Sequence, residues 1–262
     1  MRQTKRFAVV GSDARQAAAG RALARAGYPV GGVQQLPQAD CILLPLEQAD
    51  LPLTQLLGAA KPGALALGGK VTDSAMAIAR AAGVELVDYF ARPELTVYNA
   101  IPTAEGCIGI LLERRSRTLW GAAVLVLGFG PVGRALAVRL AALGARVNVA
   151  ARRPVQRAMA EELGLRAVPL TDLAAAAAAF DTVVNTIPAP VLTAQVLAAL
   201  PKGCLIVDLA SKPGGTDFAA ARRLGHTALH ALSLPTVWAP ETAGEVLART
   251  VQAILQEREG RI

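Results

Sequence analysis

Ala122-Ala-Val-Leu-Val-Leu-Gly128-Phe-Gly130-Pro-Val-Gly133-Arg-Ala-Leu-Ala-Val-Arg-Leu140, near the middle of the chain, decides how the rest is read. An apolar run rich in Val and Leu has the look of a buried parallel strand. Three glycines follow at the spacing G-x-G-x-x-G, and an Ala/Leu-rich helix former begins after them. Gly128 would permit the tight turn, Gly130 would let the backbone approach a pyrophosphate, and Gly133 would let the new helix pack close on the strand. Phe129, Pro131 and Val132 lie between them in the same turn. The helix N-terminus then offers free N–H groups and the positive end of its dipole to phosphates. Glycine-rich turns also occur for purely structural reasons, but the strand-turn-helix order predicts a dinucleotide site.

The chain has 262 residues, enough for two compact domains. Hydrophobic residues make up 53%, much of it alanine, and the mean hydropathy is +0.39. No uninterrupted apolar run reaches the roughly 18 residues of a spanning helix. Met1-Arg-Gln-Thr-Lys-Arg6 passes straight into a short strand rather than a signal-peptide core. A soluble, intracellular protein is expected, with no membrane partner. The net charge of +7 invites a nucleic-acid reading, but aromatics are only 4% and no Lys/Arg run exceeds two residues. That charge suits anionic small molecules better. Cys41, Cys107 and Cys204 have no metal-like spacing and read as small buried hydrophobes of a reducing compartment. With only His226 and His230 as histidines, no metal site is expected, and both read as structural.

Outward from the glycine turn, strands and helices alternate on both sides. On the N-terminal side, strands are predicted at Arg6–Val10, Cys41–Leu44, Ala64–Leu67 and Val84–Val87, with helices from Ala17 and, capped by Thr72 or Asp73, up to Ala82. Asn99 to Gly106 leads into a helix running to about Arg115, with Pro102 in its first turn. On the C-terminal side come strands at Arg146–Ala150, Asp181–Asn185, Leu205–Leu209 and, more weakly, Thr227–Leu232. A poly-Ala helix begins near Thr171, and a last helix spans Glu241–Gln256. This alternation predicts an α/β protein of two Rossmann-like parallel-sheet domains with the cofactor site in the cleft between them. Residues 1–100 would form a substrate-side domain, 101–117 a bridging helix and 118–239 the NADP-binding domain, with helix 240–258 packing back on the first.

The cofactor type is argued from the end of the second strand, where an acidic residue usually holds the NAD ribose 2′-hydroxyl. Here Val149-Ala-Ala-Arg152-Arg153-Pro154 carries no acid, and two guanidinium forks match a 2′-phosphate. NADP is expected, with NAD the lesser candidate, although two surface arginines in a solvated loop would read the same way.

Several stretches together resemble one family, the A subunit of dipicolinate synthase, a spore-formation enzyme of endospore-forming bacteria. They are Gly11-Ser-Asp-Ala-Arg-Gln16, Asn99-Ala-Ile-Pro-Thr-Ala-Glu-Gly106, Gly128 to Gly133, Asn185-Thr-Ile-Pro188, Asp208-Leu-Ala-Ser-Lys-Pro-Gly-Gly-Thr-Asp217 and Ala239-Pro-Glu-Thr-Ala-Gly244. They follow the family's order across nearly the whole chain, which is shorter than the family in its first half. The resemblance implies oxidation of a cyclic imine dicarboxylate of the lysine pathway, 4-hydroxy-tetrahydrodipicolinate or its dehydrated form, to dipicolinate with hydride transfer to NADP. It also implies the flavoprotein-like B subunit of dipicolinate synthase as partner, a homo-oligomer and a mother-cell cytoplasmic location.

With the resemblance, Lys212, Ser211 and Glu105 become the catalytic candidates. Lys212 would bind a carboxylate or, if burial lowers its pKa, shuttle a proton. Asn185, Thr186 and Ile187 would lie beside the cofactor, although a strand-end Asn equally often satisfies local backbone. Arg15, with Asp13, is the candidate fork for a substrate carboxylate. Asn99, Thr103 and Glu105, at the start of the bridging helix, would meet an anion, or Thr103 and Glu105 would merely cap the helix, and Thr242 carries the same ambiguity. Gly214 and Gly215 would serve the turn or give N–H groups to the substrate. Two alternatives stand beside this reading: another NADP-dependent dehydrogenase, shikimate-like or 2-hydroxy-acid-like, and a non-catalytic NADP-sensing regulatory protein.

Overall fold

The computed structural model describes residues 5–260, so Met1-Arg-Gln-Thr4 of the opening stretch lies outside the described residues. In chain order come β1 (Phe7–Val9), α1 (Ala14–Arg25), β2 (Val30–Gly31), β3 (Cys41–Leu43), α2 (Leu53–Gly58), β4 (Leu65–Gly68), α3 (Asp73–Ala81), β5 (Glu85–Asp88) and α4 (Pro93–Arg114). They are followed by β6 (Ala123–Leu127), α5 (Pro131–Ala142), β7 (Arg146–Ala151), α6 (Pro154–Glu162), β8 (Arg166–Pro169), α7 (Leu173–Ala176) and β9 (Thr182–Asn185). The chain finishes with α8 (Ala194–Ala199), β10 (Leu205–Asp208), α9 (Phe218–Arg223), β11 (Thr227–His230), α10 (Leu234–Trp238) and α11 (Pro240–Arg258). Two compact units result. One comprises the chain through Asn99 together with Pro235 onward, and the other is Ala100–Leu234.

In the first unit the five strands are ordered β2-β1-β3-β4-β5, and in the second the six strands are ordered β11-β10-β9-β6-β7-β8, with every pair parallel. Numbered within its own unit, the second order is that of the dinucleotide-binding fold, and its direction reverses between β6 and β9. Strand side chains alternate between faces. Val124 and Val126 therefore join a core with Leu136 and Leu140, while Leu125 and Leu127 face Val183, Leu197 and Ile206. Both faces are covered, which is why these strands are apolar without interruption.

The first unit is completed from the far end of the chain. Leu247, Val251, Ile254 and Leu255 of α11 bury against Phe7, Leu43 and Leu67 of the sheet and Leu23 of α1. α1 and α11 touch at Gly244, where a Cβ would stand 2.6 Å from the Ala19 amide nitrogen and 2.7 Å from the Arg15 carbonyl. The same pair is flanked by ion pairs from Arg21 to Glu241 and from Arg25 to Glu245, the latter at 2.8 Å.

Several sequence expectations are corrected. α4 starts at Pro93 rather than near Asn99, and Pro102 lies inside it. β2 and β8, a two-residue edge and a polar edge, carry no apolar run and were not expected. The poly-Ala segment is a single α-turn flanked by 3₁₀ turns, Leu170–Asp172 and Ala177–Ala179. Among the described residues α4 is the one helix long and apolar enough, by length and composition, to cross a membrane, although no uninterrupted apolar run was long enough. Ala104, Cys107 and Leu111 of that helix are buried in the second unit's core.

Burial pushes the Cys41 thiol up to about 11 and the Cys204 thiol up to about 12, and raises that of Cys107 as well. The thiolate is the reactive form, and a free thiol reaches it near pH 8.5 (roughly) in water. The folded protein at about pH 8 is therefore expected to resist a thiol reagent at all three cysteines. Denaturant should expose them together, and fast labelling of the native protein would contradict this burial. Separately, Gly244→Val should lower unfolding free energy by about 1–3 kcal/mol through overpacking of the α1–α11 contact. Urea unfolding checks it, and an unchanged midpoint would count against that contact.

Candidate functional site

In the second unit the glycine turn has the geometry its sequence predicts. Gly128 sits at φ +93, a left-handed conformation that L side chains rarely adopt, and its amide donates to the Ala150 carbonyl at 2.8 Å. A Cβ on Gly133 would run into the Gly128 carbonyl, so only glycine lets α5 start this close to β6. Gly130 is the N-cap of α5 and no side chain caps it, with Pro131 filling the first helical position. A Cβ at Gly130 would meet nothing within 4 Å. The uncapped first turn, with open space before it, fits a dinucleotide pyrophosphate. Phe129 turns inward to the core, so its contribution is packing.

The loops after β9 and β10 lie beside this turn, since β6, β9 and β10 are neighbours in the sheet. They are organised by Asp208, fully buried at the end of β10. Its Oδ1 accepts from Asn185 Nδ2 at 2.9 Å and the Ala210 amide at 3.0 Å. Its Oδ2 accepts from the Gly215 amide at 2.8 Å and Thr216 Oγ1 at 2.7 Å. Across the sheet, parallel register sets Asp208 opposite Asn185 on one side and His230 on the other. His230 Nε2 donates to the Ala210 carbonyl at 2.8 Å, and its ring stacks on Phe218 with centroids 5.5 Å apart.

This arrangement revises three sequence readings. Asn185 is buried, and its amide is consumed by Asp208, the Ile187 carbonyl and the Ile187 amide. Local satisfaction is therefore its role rather than cofactor contact. The Gly215 amide is held by Asp208 and the Gly214 amide by the Ser211 carbonyl at 2.8 Å, so neither is free for a substrate anion. Gly215 has a packing reason instead, because a Cβ would stand 2.6 Å from both Asn185 Nδ2 and the Ile187 carbonyl. His230, read as merely structural, belongs to the loop cluster, whereas His226 bonds the Leu197 carbonyl elsewhere.

Thr186 and Ile187 remain half-buried against the turn, with Thr186 Oγ1 donating to the Leu127 carbonyl at 2.8 Å. Ser211 and Lys212 are exposed at the tip of the tethered loop. The burial that a proton shuttle at Lys212 would require is absent from this unit. Glu105 is not near them. It is exposed on α4, and its carboxylate meets Arg139, in the last turn of α5 and eight residues beyond Pro131. Asn99 and Thr103 lie in the interior of α4 rather than at its start, so they neither cap it nor offer unbonded helix amides.

Arg152 and Arg153 follow β7 and are exposed. Arg157, which the sequence reading missed, reaches back from α6, its Nη1 donating to the carbonyls of Ala151 and Arg152, both at 3.1 Å. Only the folded turn brings a side chain five residues on back to the strand end.

In the first unit Asp13 caps α1, accepting from the Gln16 amide at 2.9 Å. Arg15 is mostly buried, 4.0 Å from Asp13, and its Nε has no hydrogen-bond partner among the described residues. Thr242 is exposed in the first turn of α11.

Residues 110–212 match the family described as D-isomer specific 2-hydroxyacid dehydrogenase, NAD binding domain. That stretch contains the glycine turn, Arg152–Arg153 and the loop up to Lys212. The A subunit of dipicolinate synthase of Bacillus subtilis (strain 168) is 41% identical over 180 residues, 69% of this chain and 61% of that protein. The crystal structure of the A subunit of dipicolinate synthase from Bacillus halodurans superposes with a TM-score of 0.87 and 31% identity, covering 96% of this chain and 97% of that one. The chain belongs to the family of dipicolinate synthase A subunits. The corresponding structure from Bacillus subtilis gives a TM-score of 0.86 at 32% identity, over 100% of this chain and 99% of that chain. The matched stretch is that of a dehydrogenase NAD-binding domain. In sequence the match spans 61% of the curated relative's length. That relative is named as one subunit of a larger synthase.

Replacing Asp208 by Asn should cost about 1–3 kcal/mol by turning acceptors into donors against bonded N–H groups. It should also impair turnover more than cofactor binding, because the glycine turn is untouched. Chemical unfolding and a binding titration with reduced cofactor check both, and a variant with native stability would contradict the network.

Proposed function

We propose that the chain is the oxidoreductase subunit of a dipicolinate synthase. It would convert a cyclic imine dicarboxylate of the lysine pathway to pyridine-2,6-dicarboxylate: 4-hydroxy-tetrahydrodipicolinate first loses water, and its dehydrated form then gives up a hydride to NADP and a proton to solvent. The observation that carries this reading is the agreement, over nearly the whole chain and above 30% identity, with two structures of dipicolinate synthase A subunits. The product ring is aromatic, so the oxidation is downhill, and the protein's task is mainly to position the ring and neutralise its carboxylates. Bound NADP supplies the hydride acceptor. Gly128 to Gly133 hold the pyrophosphate, and Thr186 and Ile187 flank the same turn.

Lys212, exposed on a loop whose base is tied to Asp208 and His230, is the cation for one substrate carboxylate, with Ser211 beside it. In the first unit Arg15, with its unbonded Nε, is the fork suited to a carboxylate, steadied by Asp13. Thr242 is a further polar group of that unit. A flavoprotein-like B subunit as partner, a homo-oligomeric state and a mother-cell cytoplasmic location belong to the same proposal.

The test is an assay at the dipicolinate absorbance with the lysine-pathway imine, NADP or NAD, and the flavoprotein partner present or absent. Dipicolinate formation is expected, and Lys212→Met should lower kcat/KM by about 30–150-fold, the worth of a charged hydrogen bond of about 2–3 kcal/mol. Its NADPH affinity should be unchanged. Turnover confined to shikimate-like compounds would overturn the substrate. NADPH binding without turnover, even with the partner, would favour a regulatory protein.

A further inference from the structure

The turn between β7 and α6 concentrates positive charge that no carboxylate among the described residues neutralises. Arg152, Arg153 and Arg157 lie within six residues, and no ion pair among the described residues involves any of them. Some arginines elsewhere find carboxylates: Arg21 meets Glu241, Arg92 meets Glu94 and Glu257, and Arg115 meets Asp181. Leaving three like charges together costs stability unless an anion joins them.

α6 begins at Pro154, and its N-cap Arg153 provides no side-chain cap, so its first turn is as uncapped as that of α5. What distinguishes this corner is its three guanidinium groups. Arg157 has the geometry to organise it. Its Nη1 spans the Ala151 and Arg152 carbonyls, fixing the strand end from which Arg152 and Arg153 project. Its Nε and Nη2 make no bond within the described protein and are not sealed from solvent.

We propose that Arg157 is a specificity-determining residue for the dinucleotide's 2′-phosphate, pinning the Arg152–Arg153 turn and presenting its remaining guanidinium edge to the phosphate. This rests on the NADP reading above. A planar fork is needed because a lysine ammonium cannot bridge two carbonyls and keep a bidentate edge for phosphate.

The experiment titrates the full chain with NADPH and NADH, following nicotinamide fluorescence, for wild type, Arg157→Met and Arg157→Lys, with a thermal melt of each. Wild type should bind NADPH the more tightly. Arg157→Met should weaken NADPH about ten-fold or more, as expected for lost charged hydrogen bonds, and leave NADH within about two-fold. Arg157→Lys should fall between, and serves alone if the Met variant does not fold. The NADPH advantage should also shrink with added salt. Equal loss for both cofactors, or no loss for either, would overturn the role of Arg157 while leaving the NADP reading standing. A wild type that binds NADH as tightly as NADPH would overturn that reading and the proposal with it.

Discussion

A carboxylate taken wholly out of water is costly unless every lone pair finds a donor, and Asp208 is such a group. Four donors from three chain segments converge on its two oxygens. One of them, Asn185, passes the constraint on, since the amide that reaches Asp208 also holds the Ile187 carbonyl. The ends of β9 and β10 are thereby locked to each other, and the loop from Ala210 to Thr216 is anchored at both ends while its tip stays open. Rigid base and free tip are what a binding loop requires.

The parts of this architecture that were legible in the sequence are those where local chemistry alone dictates the outcome. G-x-G-x-x-G has one good solution between a strand and a helix, and the contact between Gly133 and the Gly128 carbonyl shows why. The two parallel sheets followed from apolar runs broken by polar turns. Thr72 was expected as a possible cap, and its hydroxyl does accept from the Ala75 amide.

Where partners come from elsewhere in the chain, the sequence was silent. His230 gained its place from lying opposite Asp208 in parallel register, a pairing no local pattern encodes. Gly214 and Gly215 looked like open donors because the carboxylate that occupies Gly215 lies seven residues earlier and the carbonyl that holds Gly214 belongs to the same turn. Pro102 misled for the opposite reason. A proline signals a helix start, but packing of Ala104, Cys107 and Leu111 carries α4 through it at the loss of one backbone bond. Glu105 was placed with the catalytic groups on that mistaken start.

The route of the chain through its two units bears on how the protein is made. The second unit is one contiguous stretch, Ala100–Leu234. The first is not: Phe7, Leu43 and Leu67 share an apolar face that α1 and Tyr89 cover in part and α11 completes, and α11 is synthesised after the whole of the second unit. During translation the order of birth and the order of completion are therefore reversed. The first unit's strands must wait, with that face only partly covered, for the last helix, and that interval is when the nascent chain is most exposed to wrong association.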